Sequence, residues 1–87
     1  MIVPTRKFIQ FDQPAVYKII VQGKIDPSMS GRLEGMAIRE GTLDKNNSLT
    51  TLEGELTDQA ALAGVLNTLY ELQMVVLSVE CIYLRGK

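Results

Sequence analysis

The chain has 87 residues and a formal net charge of −1, with one cysteine and no histidine. This length supports one domain with a thin hydrophobic core. One cysteine excludes an internal disulfide, and without histidine the usual zinc sites and the Ser-His and Cys-His nucleophile pairs are excluded as well. The near-neutral charge argues against nucleic acid as a main partner. We therefore expect no catalytic, cofactor-binding or metal-binding residues and no nucleic-acid partner.

Residues 1–14 form an N-terminal leader or arm that carries Phe8 and Phe11. Proline and basic residues interrupt it before an apolar run develops, so we do not expect a secretory signal. No window of the chain reaches the ~20 apolar residues of a membrane span. We expect a cytoplasmic protein without a membrane partner, in which residues 15–87 form a single α+β domain. The leader either lies on that domain or docks into a neighbouring subunit.

The first predicted strand covers 15–25 and shows apolar and polar residues in alternation. Tyr17, Ile19 and Val21 fall on one face, whereas Lys18 and Gln22 fall on the other. This period of two is typical of a half-buried strand in an antiparallel sheet. The Asp-Pro-Ser sequence that follows ends the strand, because proline fixes its φ angle and has no N–H for a ladder.

Two further strands are predicted over 33–42 and 48–56, with a turn at 44–47 between them. Asp and Asn dominate this turn, and both tolerate the left-handed conformation and bond to their own backbone. The second strand is expected to begin at Leu33, after a short loop over 28–32. The third places Thr50 and Leu52 on one side. We expect a hairpin, and a meander of the first three strands.

A helix is predicted over 58–72, with Thr57 as its N-cap and Asp58 in its first turn. Apolar residues recur at helical spacing and form one stripe, made of Leu62, Val65, Leu66, Leu69 and Leu72. Gly64 costs about 1 kcal/mol relative to alanine inside a helix. Either a close-packed neighbour over Ala60 and Gly64 or simple tolerance accounts for it.

The last predicted strand, 74–84, is apolar on both faces in its first half, which predicts cover on both sides. Placed beside the first strand and parallel to it, it would form the sheet edge, which a monomer does not leave bare. The predicted fold is therefore α+β in the order β-β-β-α-β, a four-stranded mixed sheet with one helix packed on one face. The opposite face would be partly apolar, through Val16, Ile20, Val76, Ile82 and Leu84.

The chain resembles a group of short bacterial and archaeal proteins of uncharacterised function. Their pattern has a Tyr-x-Ile-x-Val-x-Gly strand, a Trp-Ser-x-Trp loop, an Asp-Gln-Ala-Ala-Leu block and a Leu-Ser-Val ending. The matching residues extend over 17–79 and are Tyr17, Ile19, Val21, Gly23, Ile25, Asp26, Ser30, Gly35, Asp58, Gln59, Ala60, Ala61, Leu62, Gly64, Leu66, Leu72, Leu77, Ser78 and Val79. The resemblance implies no activity.

Departures from that pattern are informative. Met29 and Arg32 stand where the pattern has tryptophans, and Ala63 stands where it has histidine, so no role of those side chains carries over. Gln73 replaces the glycine expected just past the helix, a position that usually adopts the left-handed conformation. The sequence therefore predicts a strained residue at Gln73.

Polar residues converge in one loop, whose candidate ligand-binding residues are Asp26, Ser28, Ser30 and Arg32. Turn formation explains this loop equally well. The candidate interface residues lie in the last strand and are Val76, Ile82, Tyr83 and Leu84. The leading hypothesis is a homo-oligomer, most simply a dimer, acting as a protein-interaction or assembly module. The alternatives are a small-molecule sensor with its ligand at the subunit interface, and an enzyme using Asp26, Arg32 or Glu34.

Overall fold

The computed structural model describes residues 14–84 of the chain. The elements follow one another as β1 (Ala15–Gln22), a 3₁₀ helix (Pro27–Leu33), β2 (Ala37–Asp44), β3 (Asn47–Leu56), α1 (Gln59–Glu71) and β4 (Val75–Leu84). The predicted α+β class and the order β-β-β-α-β are confirmed. The N-terminal leader lies outside the described residues apart from Pro14.

The four strands form one open sheet in the order β2-β3-β1-β4. Every neighbouring pair is antiparallel, so the prediction of a mixed sheet is wrong in its strand directions. The predicted β2–β3 hairpin is confirmed, whereas the meander is wrong because β1 pairs with β3 and not with β2. The placement of β4 at an edge beside β1 is confirmed, but it runs antiparallel to β1.

The 3₁₀ helix explains why the meander prediction failed. Since β1 and β2 are both antiparallel to β3, they point in the same direction, and the chain must return along the sheet between them. The 3₁₀ helix lies on this return path and packs against α1. Leu33, predicted to begin the second strand, is the last residue of the 3₁₀ helix and is fully buried. A run this short shows no periodicity that would distinguish it from a loop.

The hydrophobic core lies on one face of the sheet, between the strands, α1 and the return segment, which is the stretch 23–36 that connects β1 to β2. β1 and β3 contribute buried residues, whereas Ile38 of β2 and Val79 and Cys81 of β4 pack against them while only partly buried. The helix contributes Leu62, Val65 and Leu69 of its predicted stripe. The buried hydrophobic residues are Ala15, Tyr17, Ile19, Val21, Ile25, Leu33, Met36, Leu52, Leu56, Leu62, Val65 and Leu69. One buried polar residue, Thr50, donates its hydroxyl to the Gly23 carbonyl at 2.7 Å, which satisfies its hydrogen-bonding need.

Both ends of α1 are capped. The N-cap is Asp58 and not the predicted Thr57, because the Asp58 carboxylate accepts a hydrogen bond from the Ala61 N–H at 2.8 Å. At the other end, the N–H groups of Gln73 and Met74 donate to the Tyr70 and Leu69 carbonyls at 2.9 and 3.0 Å. This pattern is a Schellman motif. Gln73 has φ 60°, which confirms the predicted left-handed conformation.

Candidate functional site

The outer edge of β4 combines an unpaired strand edge with exposed apolar side chains. Within the described residues β4 pairs only with β1, so the backbone groups on its other side have no strand partner. Three consecutive apolar side chains on this edge are exposed, with Val75 at 56%, Val76 at 37% and Leu77 at 45%. An exposed, long and apolar edge strand is a template for pairing with another chain.

The register between β1 and β4 shifts twice. Ser78 and Val76 pair with the consecutive residues Ile20 and Val21, which leaves Leu77 as an extra residue. A second extra residue, Ile82, follows Cys81 in the same way. Such bulges bend a strand and change which face its side chains occupy. The two extra residues, Leu77 and Ile82, are both exposed, at 45% and 46%.

All four candidate interface residues belong to β4. Val76 and Ile82 are exposed there, whereas the side chains of Tyr83 and Leu84 lie outside the described part of the chain. Sequence reasoning missed Val75 and Leu77, which belong to the same apolar edge. The unbroken apolar run 75–77 is the signal that would have found them.

The sheet face opposite α1 carries a charged row. Lys18 lies between Glu53 on β3 and Glu80 on β4, and Arg39 of β2 donates to the Glu53 carboxylate at 2.9 Å. Val16 and Ile20 are half-buried on this face, as predicted. Val76 was expected here as well, but this is wrong, since its partner Val21 is a core residue on the α1 side. This face is therefore more polar than the sequence predicts.

The other sheet edge, β2, differs from β4 in charge. Its sequence AIREGTLD contains Arg39, Glu40 and Asp44, whereas the sequence of β4, VVLSVECIYL, contains one charged residue, Glu80. Charged side chains on an edge strand disfavour pairing with a second chain. The β2 edge is thus protected against pairing with a second chain, whereas the β4 edge is not.

The candidate ligand loop becomes the 3₁₀ helix, and its polar groups make contacts within the chain. The Asp26 carboxylate caps this helix by accepting from the Ser28 N–H at 2.9 Å. Ser30 donates its hydroxyl to the Met36 carbonyl at 2.9 Å. Arg32 forms an ion pair of 3.1 Å with Glu71 at the end of α1. These contacts stabilise the return segment and its packing on the helix.

Two pKa shifts follow from such local contacts. Hydrogen bonds from Ser28, first from its backbone N–H and then from its side chain, hold the pKa of Asp26 below its ordinary value. Burial raises the pKa of Tyr17, and the neighbouring Cys81 raises it further. Cys81 is half-buried and pairs with Tyr17 across β1 and β4.

Two surface depressions lie beside α1, one at its middle and one at its C-terminal end. One, of about 210 Å³, is lined by Leu66 of the helix and by residues 76–79 of β4. The second, of about 460 Å³, is lined by Tyr70, Glu71, Gln73 and Met74. The first is continuous with the apolar edge of β4. Among the described residues, no three Cys, Asp or Glu side chains group as metal ligands would.

Comparison with known proteins assigns the chain to a family. Residues 16–80, about three quarters of the chain, match the family described as Domain of unknown function (DUF8691), and the chain belongs to it. No curated protein and no solved structure matches the chain. Within residues 14–84, the structure has no helix that is long and apolar enough to cross a membrane.

Proposed function

We propose that this chain is a small cytoplasmic homo-oligomer, most simply a dimer, that serves as a protein-interaction or assembly module and has no catalytic activity of its own. The observation that carries the proposal is the outer edge of β4, where Val75, Val76, Leu77 and Ile82 are exposed on a strand with one charge. A second chain on this edge would pair the backbone groups and cover the apolar side chains.

The size of the domain supports the same proposal. Domains this small have thin cores and commonly gain stability from a disulfide, a metal or a partner chain. One cysteine excludes an internal disulfide, and without histidine the usual zinc sites are excluded as well. A partner chain is then the remaining source of added stability among the three. Association would thus serve the stability of the fold as well as its function.

The contacts of the 3₁₀ helix support an interaction module over an enzyme. Asp26 and Arg32, two of the residues an enzyme would need, are engaged in a helix cap and an ion pair. Both contacts have a structural role that requires no substrate. Alanine at Asp26 or Arg32 is therefore expected to change stability and to leave the oligomeric state unchanged.

Light scattering of the purified chain tests the proposal. We expect a mass near twice 9.6 kDa at micromolar concentration. Leu77→Lys should shift the mass to the monomer, because it places a charge on the unprotected edge. Leu43→Lys is the matched control, since Leu43 is similarly exposed, at 52%, but lies on β2. A 9.6 kDa monomer of the parent at micromolar concentration would overturn the proposal.

A second candidate function is a small-molecule-binding regulator with its ligand at the subunit interface. The depression of about 210 Å³ beside Leu66 favours it, because this depression opens on the same edge of β4 that a partner would cover. The test is a thermal-shift screen of metabolites, repeated on Leu66→Ala. A reproducible rise in Tm that Leu66→Ala abolishes would favour this function, and a screen without stabilisation would exclude it for the compounds tested.

The proposal also concerns the organisms in which the family occurs. We infer that the DUF8691 family is the group of short bacterial and archaeal proteins that the sequence resembles. The match to residues 16–80 supports this, since it spans nearly the same segment as that resemblance. A survey of the source organisms of family members tests it, and a predominantly eukaryotic membership would contradict it.

A further inference from the structure

We propose that the partner on β4 is the β4 strand of a second copy of this chain, paired antiparallel about a two-fold axis that passes through Val79. This inference rests on the proposed function and specifies its interface. The two sheets would join into one continuous sheet, with both α1 helices on the same face.

Charge is the first argument for a second copy as the partner. A strand that pairs with its own copy brings its charges close to the same charges in the partner, which is unfavourable for a highly charged strand. Within its ten residues β4 carries only Glu80, so self-pairing costs little. On β2 the same geometry would place three charged residues, Arg39, Glu40 and Asp44, within the interface between the two strands.

Symmetry restricts the register. A two-fold axis perpendicular to a sheet preserves its faces, so one residue meets its own copy, and residues equally far before and after it face each other. Centring on Glu80 would place two carboxylates directly opposite each other, which is destabilising. Centring on Ser78 would pair only residues 75–81, whereas centring on Val79 pairs residues 75–83. The centre on Val79 therefore gives the longer overlap and keeps the carboxylates apart.

The register centred on Val79 also matches the exposed side chains. It places Ile82 opposite Val76 of the partner subunit and Leu77 opposite the partner's Cys81. Glu80 then faces the partner's Ser78, a small polar residue. Glu80 and Ser78 pair with Lys18 and Ile20 in their own chain, so both lie on the sheet face opposite α1. Apolar residues thus meet apolar residues, and the lone charge meets a hydroxyl.

Charge substitutions at Ser78 test this register. Ser78→Lys should tighten the dimer about tenfold, because it creates two symmetric ion pairs with the Glu80 side chains. Ser78→Glu should weaken the dimer about tenfold through two like-charge contacts. Thr42→Lys and Thr42→Glu are the matched controls. Thr42 is exposed on β2 and lies two residues from Glu40, as Ser78 lies two residues from Glu80. They should leave the dimer Kd unchanged.

Oxidative cross-linking tests the register by which residues face each other and not by a change in the dimer Kd. In Leu77→Cys the introduced thiol would lie opposite the partner's Cys81, within the distance that a disulfide spans between neighbouring strands. Air oxidation should give a covalent dimer that reduction reverses. Val75→Cys should not cross-link, because it faces the partner's Tyr83 in this register. In the register centred on Ser78 it would face Cys81 instead.

The outcomes separate this inference from the proposed function. A dimer that responds to Ser78 with opposite signs and that cross-links through Leu77→Cys supports the pairing. A dimer that is indifferent to Ser78, or that cross-links through Val75→Cys and not through Leu77→Cys, overturns the register and leaves the homo-oligomer in place. A parent chain that is monomeric at every concentration overturns both.

Discussion

Gly54 on β3 lies directly against Met36, the residue that ends the return segment before β2. A Cβ atom placed on Gly54 would approach the Met36 Cα to 3.2 Å and its Cγ to 3.3 Å. Met36 is buried, so neither its backbone nor its side chain has room to move away. The missing Cβ at Gly54 thus allows Met36 to approach β3 closely.

We therefore expect Gly54→Ala to lower the free energy of unfolding by about 1–2 kcal/mol through overpacking. Gly64→Ala is the matched control and should raise it by about 0.5–1 kcal/mol, since Gly64 is in a helix and a Cβ there has no neighbour within 4 Å. Urea unfolding of both variants measures this. A higher free energy of unfolding for Gly54→Ala would contradict this expectation and show that Met36 moves to make room for the Cβ.

The N-cap of α1 gives a second prediction. Asp58→Ala should lower the free energy of unfolding by about 1 kcal/mol, because the Ala61 N–H loses its acceptor. Thr57→Ala, one residue earlier at an exposed position, should change it by less than about 0.5 kcal/mol. Thermal unfolding of the two variants shows which of the two residues caps α1. An equal loss for both would mean that Thr57 shares the cap.

Local features of this fold could be predicted from the sequence. The alternation in β1, the apolar stripe of α1 and the turn at Asp44 each depend on residues close together in the chain. In that turn the Asp44 carboxylate accepts from the N–H groups of Asn46 and Asn47, both at 3.0 Å. Left-handed Gln73 was predicted from the resemblance, whose pattern has a glycine at this position just past the helix.

The strand order could not be predicted in this way. Pairing of β1 with β3 depends on where the return segment carries the chain, and that path is fixed by the burial of Ile25, Leu33 and Met36. Of the candidate site, Val76 and Ile82 were predictable from the two-sided apolar pattern of β4. Val75 and Leu77 were missed because alternation alone does not show where a bulge falls.

Gln73 provides a direct test of backbone strain. A non-glycine residue at φ 60° is strained by its Cβ, so Gln73→Gly should raise the free energy of unfolding by roughly 1 kcal/mol. Gln73→Ala is the matched control, because it keeps the Cβ and should leave the free energy of unfolding without an increase. Melting temperatures measure the effect, and 1 kcal/mol corresponds to a shift of roughly 4–8 °C in a domain of this size. A lower melting temperature for Gln73→Gly would contradict the expectation.

Tyr17 predicts how stability depends on alkaline pH. Burial, and then the neighbouring Cys81, raises the pKa of its phenol above the ordinary value of 10.0. Below pH 10.0 the phenol is protonated in the folded and unfolded chains alike, and its contribution to stability is fully present. As the pH rises through the higher folded pKa, the unfolded chain loses the proton first, so stability is lost.

Tyr17→Phe should therefore reduce the loss of stability above pH 10.0, since the buried ring remains and the titrating hydroxyl is gone. Urea unfolding of the parent and the variant between neutral pH and pH about 11 measures this difference. Tyr70→Phe, at a side chain that is 79% exposed, is the matched control and should keep the alkaline loss of the parent. If Tyr17→Phe and Tyr70→Phe lose stability with the same slope, the ionisation of Tyr17 does not limit the alkaline stability of the fold.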